Sequence, residues 1–208
     1  MGWWSERVVP RMVERTCGDP ALRPLRELAC AGLAGRVVEV GYGNGRNTRF
    51  CPDAVTEVLA VEPSDLAWGL SERRRASSGV PVTRAALDGR RLPLDDDSAD
   101  AVLCTFTLCT IPDVGATLAE AGRVLRPGGA LHFAEHGLSP EPRISRWQRR
   151  LDGLEQRLAG GCHLTRDVPA LLRTAGFEVS LDHEGYVDLP AVARPWTWCT
   201  AGRALAPR

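Results

Sequence analysis

Apolar and polar positions along this chain follow two alternating patterns. Short runs rich in β-branched residues are typical of buried strands, and such runs occupy residues 35–41, 57–63, 81–87, 99–108 and 128–137. Between them, apolar positions that recur every three or four residues predict helices at 64–77, with Ser64 as N-cap, and at 113–126. Strands that alternate with helices need crossover connections, so the pattern predicts an α/β fold with a parallel sheet buried on both faces.

The pattern changes after residue 140. Residues 144–160 predict an amphipathic helix, and we expect its apolar face to contact the protein core or to line a substrate pocket. That face carries Trp147, Leu151, Leu154 and Leu158. Another helix is expected at 165–176, with Thr165 as N-cap, followed by extended stretches at 177–187 and 195–205. Because no linker-like segment divides the chain, we expect one domain over residues 1–208.

Composition excludes several classes of protein. The 26 basic and 26 acidic residues cancel, which argues against a large nucleic-acid surface. No apolar run approaches the roughly 18 residues of a membrane span, and the first 20 residues lack the apolar segment of a signal peptide. Seven cysteines without CxxC spacing predict reduced thiols and a cytoplasmic protein. The four histidines do not lie among them at ligand spacing, so no metal site is expected.

Glycines at alternate positions, Gly41, Gly43 and Gly45, follow the first predicted strand. Glycine permits a sharp turn and lets a ligand lie against the main chain. Open parallel sheets bind ligands outside the carboxyl ends of their strands. We therefore interpret this loop as a ligand platform. After the loop, Asn47 or Thr48 can cap a helix. The alternative to a ligand platform is a tight strand–helix turn without a ligand.

Acidic residues stand at or near the ends of the first three predicted strands. Glu39 precedes the glycines, where its charge repels a pyrophosphate and suits a ligand with a cationic group such as an α-ammonium. Glu62 ends the second strand and can accept both hydroxyls of a ribose. Asp88 follows the third strand and could accept the exocyclic amine of an adenine. An ordinary surface carboxylate is the alternative at the last two positions.

Five motifs now stand in order along the chain: EVGYGNG (39–45), VEPS (61–64), LDGRRLPL (87–94), ADAVLCTFTLCTIPD (99–113) and VLRPGGALHFAEH (124–136). Together they resemble the motifs of class I S-adenosylmethionine-dependent methyltransferases, in the branch that includes the menaquinone- and ubiquinone-biosynthesis enzymes. The resemblance covers about residues 35–137. It implies a Rossmann-like, doubly wound sheet of seven strands, mostly parallel with an antiparallel C-terminal strand, and helices on both faces.

The resemblance also implies S-adenosylmethionine as the cofactor and gives roles to individual residues. Glu39 would hold the methionine ammonium, Glu62 the ribose hydroxyls and Asp88 the adenine amine, while the backbone of Thr105 would contact the methionine. The other implied cofactor contacts come from Gly41, Tyr42, Gly43, Gly45, Pro63 and Gly89.

A narrower resemblance rests on VLCTFTLCTI (102–111), FAEHG (133–137) and GCHLTRD (161–167). These residues are similar to methyltransferase-like proteins whose vertebrate members methylate alkyl thiols and carry an apolar N-terminal membrane anchor. No comparable anchor is evident in this sequence. The family layout implies an N-terminal helical segment at 1–34 and a helical insertion at 138–176 over the acceptor site.

Methyl transfer from a sulfonium is an in-line displacement, and alignment of the reactants can supply roughly 7–11 kcal/mol of its barrier. A thiol acceptor needs the least help from a base. His136 and His163 are the candidates for a general base, with a structural role as the alternative for each. Enzymes that methylate base amines carry Asn/Asp-Pro-Pro-Tyr/Phe where this chain has CTFT (104–107). We therefore expect a small-molecule acceptor with a reactive sulfur, oxygen or activated carbon.

Two other functions stay open at this stage. An NAD(P)-dependent oxidoreductase would share the glycine-rich strand end, but the G-x-G-x-G spacing, Glu39 and Arg46 disfavour a dinucleotide. A non-catalytic S-adenosylmethionine-binding protein is favoured by the lack of a decisive base. The sequence leaves the oligomeric state open.

Overall fold

The computed structural model describes residues 3–206, apart from the side chain of Ser5. Its helices are α1 Val9–Thr16, α2 Arg23–Cys30, α3 Asp65–Leu70, α4 Glu72–Ala76, α5 Val114–Val124, α6 Pro142–Leu158, α7 Val168–Thr174 and α8 Arg194–Thr197. Its strands are β1 Gly35–Val40, β2 Val55–Val61, β3 Val82–Ala86, β4 Ala99–Thr105, β5 Leu125–His136, β6 Glu178–Tyr186 and β7 Trp198–Leu205. A π-helical stretch, Trp4–Val8, precedes α1, and short 3₁₀ turns occur at Pro20–Leu22, Thr48–Phe50 and Ala191–Ala193.

The strands form one seven-stranded sheet in the order β3-β2-β1-β4-β5-β7-β6. β7 runs antiparallel to both of its neighbours, while the pairs among β1 to β5 are parallel. Successive side chains of a strand point to opposite faces, so Val38 and Val102 enter one apolar cluster while Val37 and Leu103 enter another. These observations confirm the predicted mostly parallel sheet, covered on both faces, with an antiparallel C-terminal strand.

Strand register places the carboxyl ends of the central strands at one edge of the sheet. Val40, the last residue of β1, pairs with Val61 in β2 and with Cys104 in β4. Val61 in turn pairs with Ala86 at the end of β3. The chain runs outward through β2 and β3 and then returns to the other side of β1. The strand order therefore reverses at β1, and an open sheet binds ligands at such a switch point.

Two predicted helix features differ from the structure. The helix expected at 64–77 is divided at Ser71 into α3 and α4, although Ser64 caps α3 as predicted and accepts a 3.2 Å hydrogen bond from Ala67 N. The N-cap predicted at Thr165 is wrong, because Asp167 accepts the capping hydrogen bond of α7. Proline at position 169 fixes the first turn of α7 two residues later than expected.

The apolar stripe of α6 does not enter the core, which was one of its two expected roles. Trp147 is 48% exposed and Leu154 is 55% exposed. The helix is instead anchored by Gln148, which is fully buried. Its amide oxygen accepts a hydrogen bond from Ser139 N, and its Nε2 donates to the carbonyls of Gly137 and Pro195, all at 2.9 Å. A buried amide with three partners holds the polar side of the helix against the protein.

None of the helices within residues 3–206 is both long enough and apolar enough to cross a membrane.

Candidate cofactor and acceptor site

The three alternate glycines all adopt left-handed backbone conformations, with φ of 75° at Gly41, 58° at Gly43 and 74° at Gly45. A Cβ at Gly41 would overlap the side chain of Thr107, and one at Gly45 would lie 2.7 Å from the Tyr42 hydroxyl. At Gly43 the nearest atom to a Cβ would be the Gly41 carbonyl oxygen at 3.9 Å. The outer glycines therefore serve packing, whereas Gly43 presents bare main chain to open space where a ligand can lie.

Glu62 fastens this loop to the end of β2. Its two carboxylate oxygens accept hydrogen bonds from Gly43 N and from Ser64 N, each at 2.7 Å. Burial raises the pKa of Glu62, and these two N–H groups oppose that shift. Each oxygen keeps a further lone pair, so the side chain can still accept hydroxyl groups of a ligand.

Glu39 is almost fully enclosed, with 1% of its surface exposed. Its Oε1 accepts a 2.8 Å hydrogen bond from Asn47 Nδ2, while its Oε2 is buried without a hydrogen-bond partner among residues 3–206. Burial raises the pKa of Glu39 to about 8, against the opposing effects of the Asn47 hydrogen bond and the charge of Arg26. A half-satisfied buried carboxylate is costly, and a cationic group on a ligand would satisfy it.

Arg26 and Asn47 complete this network, and the sequence analysis assigned neither of them to the site. Arg26 Nη1 donates to Asn47 Oδ1 at 2.7 Å and to Thr105 Oγ1 at 3.0 Å, while Asn47 Nδ2 also donates to Thr105 Oγ1 at 2.8 Å. The expected helix cap at Asn47 or Thr48 is wrong: only a 3₁₀ turn follows, and Asn47 makes no capping bond because its amide is engaged in this network. The glycine motif could have drawn attention to Asn47, but Arg26 lies in α2 without any local signal.

Two other predicted contacts, Tyr42 and Pro63, lie in different surroundings. The Tyr42 side chain packs into the core, where its hydroxyl lies 2.9 Å from Thr48 Oγ1 and its ring centroid 5.6 Å from that of Trp68. Its backbone is therefore the part of Tyr42 that belongs to the glycine loop. Pro63 is exposed next to Glu62.

The loop after β3 carries Asp88 at the surface. Arg90 binds its carboxylate through Nη2 at 2.8 Å and through the backbone N at 2.9 Å, and these bonds hold the pKa of Asp88 below its usual value. Gly89 packs closely, since a Cβ there would lie 3.0 Å from a methyl group of Val40. Glycine at 89 thus lets this loop approach the end of β1.

The N-terminal helix α1 contacts the glycine loop. Arg74 donates to the Asn44 carbonyl at 2.9 Å and to Glu14 Oε1 at 3.0 Å. Arg46, which follows the third glycine, also donates to the Glu14 backbone. These bonds join α1, α4 and the glycine loop into one layer at the carboxyl ends of β1 and β2, which we call the cofactor edge of the sheet.

A second group of residues lies beyond β4. Glu135 is fully buried near the end of β5, and its carboxylate accepts hydrogen bonds from the backbone N of Thr107 at 2.7 Å, Leu108 at 2.8 Å and Cys109 at 3.3 Å. This loop begins at Phe106, whose φ is 52°. Glu135 is not among the site residues predicted from the sequence, although it fixes this loop.

Both predicted bases reach this loop. His136 Nε2 lies 2.9 Å from Cys162 Sγ, which in turn lies 3.8 Å from Cys109 Sγ. His163 Nδ1 lies 3.5 Å from an oxygen of Asp152, and its backbone N donates to the Cys109 carbonyl at 2.9 Å. The structure therefore brings both histidines to the segment around Cys109, although His136 is already engaged by a thiol.

The thiols and the imidazole influence one another. A hydrogen bond from Cys162 holds the pKa of Cys109 well below its ordinary value, against burial and with help from the charge of His136. Burial is the largest influence on His136 and disfavours the charged imidazole, but the charge and hydrogen bond of Cys109 together with the charges of Glu155 and Asp152 outweigh it and raise the pKa of His136. The hydrogen bond to Cys109, together with burial, raises the pKa of Cys162.

The sequence of this chain is similar to those of known methyltransferases. Residues 38–133 match a family model described as a methyltransferase domain. A thiol S-methyltransferase of Rattus norvegicus is 33% identical over 153 residues, which are 70% of this chain and 62% of that protein. A demethylmenaquinone methyltransferase of Roseiflexus castenholzii is 30% identical over 174 residues, 80% of this chain and 63% of that protein. The chain thus spans less than two thirds of the length of these relatives.

Among solved structures, a Thermotoga maritima S-adenosylmethionine-dependent methyltransferase, described as a possible histamine N-methyltransferase, superposes with a TM-score of 0.66 and 23% identity over 94% of both chains. At that identity the likeness shows the fold. The sequence match, the relatives and the shared fold confirm the resemblance drawn from the motifs: this chain belongs to the class I S-adenosylmethionine-dependent methyltransferases.

Proposed function

We propose that this protein is an enzyme that transfers the methyl group of S-adenosylmethionine to a small-molecule acceptor with a reactive sulfur, oxygen or activated carbon. The observation that carries the proposal is the buried carboxylate of Glu39, whose Oε2 has no partner within the described chain. A buried carboxyl group with an unpartnered oxygen, beside bare main chain at Gly43, fits a ligand that joins a cationic amino acid to a nucleoside. The bound sulfonium supplies an activated methyl group.

In this proposal the side chains of the cofactor edge bind and orient rather than react. Glu39 pairs with the ammonium group, held in position by Asn47 and Arg26. Glu62 accepts the ribose hydroxyls while its bonds to Gly43 and Ser64 keep it in one orientation. Asp88 receives the adenine amine, for which it must exchange part of its contact with Arg90.

Further roles rest on position alone. We propose His163 as a general base for a hydroxyl acceptor, since Asp152 can orient its ring, whereas His136 already contacts Cys162. The segment 138–176 covers the acceptor in this proposal, and segment 1–34 covers the cofactor loop.

None of the seven cysteines, all within the described residues, forms a disulfide, which supports a reducing cytoplasmic compartment. The balanced charge favours a small-molecule partner over a nucleic acid.

Calorimetric titration with S-adenosylhomocysteine tests the cofactor assignment. Loss of one charge-assisted hydrogen bond costs about 1.5–3 kcal/mol, so Glu39→Gln is expected to weaken binding by about 10- to 150-fold. Glu57→Gln is the matched control, because Glu57 lies in β2 at the surface and pairs with Arg36. Binding of NADH in place of S-adenosylhomocysteine would favour the oxidoreductase and overturn the proposal.

Enzyme activity needs a separate measurement. Incubation with S-adenosylmethionine and a panel of thiols, phenols and quinols, followed by mass spectrometry, should reveal a product heavier by one methyl group. Cofactor binding without transfer to any member of a broad panel would favour the non-catalytic binding protein.

A further inference from the structure

Two thiols and an imidazole meet at the carboxyl ends of β4 and β5. Cys109 lies in the loop after β4, His136 is the last residue of β5, and Cys162 lies in the loop between α6 and α7. One ligand atom of each lies within 4.8 Å of the other two. Cys109 and Cys162 are buried, and His136 Nδ1 is enclosed without a hydrogen-bond partner among the described residues. Because the three positions are 27 and 26 residues apart in sequence, no spacing motif announces them.

The geometry of this cluster is close to that of a tetrahedral zinc site. With Zn–S bonds of about 2.3 Å, two ligating sulfurs lie about 3.8 Å apart. The Cys109 and Cys162 sulfurs lie 3.8 Å apart. A sulfur and an imidazole nitrogen on the same zinc lie about 3.5 Å apart, so the 2.9 Å separation of His136 and Cys162 would open by about 0.6 Å. Thiolate and imidazole donors in this arrangement select zinc over harder cations.

We propose that Cys109, His136 and Cys162 bind one Zn²⁺ ion and leave its fourth position open to an external ligand. Hydrogen bonds between side chains and the backbone hold the three segments together without the metal. Glu135 binds the N–H groups of residues 107–109, and Arg166 Nη1 donates to the carbonyls of Leu108 at 2.6 Å and Ile111 at 2.7 Å. A site supported in this way by its surroundings is preorganised for a metal.

The position of the cluster suggests what the open site binds, and this step rests on the proposed methyltransferase function. Thr107 packs against Gly41 of the cofactor loop, and Cys109 follows two residues later. An acceptor thiol that binds zinc loses its proton to solvent and becomes a coordinated thiolate. That sulfur then forms a bond to the methyl carbon as the methyl–sulfonium bond breaks, which yields a thioether and S-adenosylhomocysteine. His136 acts here as a metal ligand rather than a base.

Metal binding is tested on the whole protein, purified with reductant and stripped with a chelator. Zinc titration against a chromophoric competitor should give one ion per chain, and Co²⁺ should produce the intense visible bands of a tetrahedral site and a sulfur-to-cobalt charge-transfer band. Cys162→Ser and His136→Ala should each lower zinc affinity by more than the about 10- to 100-fold typical of losing an outer-shell partner. Cys104→Ser removes a buried thiol outside the cluster and should leave zinc affinity unchanged.

Circular dichroism and S-adenosylhomocysteine binding show whether each variant is folded, so a failure of the zinc site is separable from a failure of the cofactor assignment. A small thiol added to the Co²⁺ protein should shift its bands by adding a thiolate ligand. Normal S-adenosylhomocysteine binding without stoichiometric zinc would overturn the site. A Co²⁺ spectrum unchanged by thiols would overturn the open position.

Discussion

The cofactor edge of this protein and its acceptor edge, the region around Cys109, His136 and Cys162, are built in different ways. At the cofactor edge, the proposed binding groups are left-handed glycines and two carboxylates from motifs only a few residues long. At the acceptor edge, the candidate groups are side chains from three segments that meet only in the folded chain. The first edge can therefore be read from short motifs, whereas the groups of the second are brought together only by tertiary packing.

The two edges also differ in their electrostatics. Glu39 is buried with one oxygen unsatisfied, so the cofactor edge stores a cost that a cationic ligand relieves. Cys109, Cys162 and His136 partly compensate one another, because a thiolate and an imidazolium can share the buried charge. The cofactor edge therefore needs its ligand for electrostatic balance more than the acceptor edge does.

The largest expected effect on stability is at Arg26, the buried guanidinium that joins α2 to the cofactor edge. Arg26→Met leaves the Asn47 amide oxygen and the Cys17 carbonyl without their Arg26 donor and removes one of the two hydrogen bonds to Thr105 Oγ1, so we expect the free energy of unfolding to fall by about 3 kcal/mol. Arg23→Met is the control, since the exposed Arg23–Glu27 pair should contribute less than about 1 kcal/mol. Urea denaturation measures both, and equal losses would contradict the network.

The next effect separates packing from ligand approach within the glycine loop. Alanine at Gly41 and alanine at Gly43 both carry a left-handed penalty of about 1–2 kcal/mol, but Gly41→Ala must also displace Thr107. We expect Gly41→Ala to lower stability more, and Gly43→Ala to lower S-adenosylhomocysteine affinity out of proportion to its stability loss. Thermal unfolding and calorimetry test this pair. Equal affinity of Gly43→Ala and the wild-type protein would show that the ligand does not approach there.

At the acceptor edge, Arg166→Ala removes the hydrogen bonds to Leu108 and Ile111. We expect the free energy of local opening of residues 107–111, measured by amide hydrogen exchange, to fall by about 1.5–3 kcal/mol. The affinity for S-adenosylhomocysteine should stay unchanged. Arg173→Ala, on the exposed side of α7, is the control. A large loss of cofactor affinity in Arg166→Ala would mean that the two edges are coupled.

The pH dependence of binding should reflect Glu39. Because its pKa is raised to about 8, the ligand-free protein carries a proton there at neutral pH, and an ammonium ligand must displace that proton. S-adenosylhomocysteine affinity should therefore rise with pH, by at most about tenfold per pH unit, and level off above about pH 8. Titrations in buffers of different ionisation enthalpy should detect the released proton. A Glu39→Gln profile as steep as that of the wild type would contradict the assignment.

The smallest effect is expected at Asp88. Its pair with Arg90 is exposed to solvent, so Asp88→Asn should lower stability only slightly and cofactor affinity by less than about tenfold. Asp65→Asn, which changes another exposed carboxylate paired with an arginine, should leave affinity unchanged. Identical affinities for the two variants would remove Asp88 from the adenine site.

The sequence by itself determined the order and type of the strands, the glycine loop and the acids at the strand ends. Apolar period and turn residues are local signals, and the residues of each motif lie within a few positions of one another. The orientation of α6 was decided only by the tertiary structure, because it depends on three hydrogen bonds of the buried Gln148 side chain. Hydrophobic periodicity does not predict these bonds.

Tertiary structure alone also decided which distant side chains meet. Arg26 reaches Asn47 and Thr105 across 21 and 79 residues, and Cys162 reaches His136 across 26. Such contacts depend on the strand order, which brings the ends of distant strands to one edge of the sheet. The residues that make these contacts show no local sequence pattern from which the contacts could be predicted. Local chemistry thus determined the residues that we propose for the cofactor site, while packing decided which distant side chains meet at the proposed acceptor site.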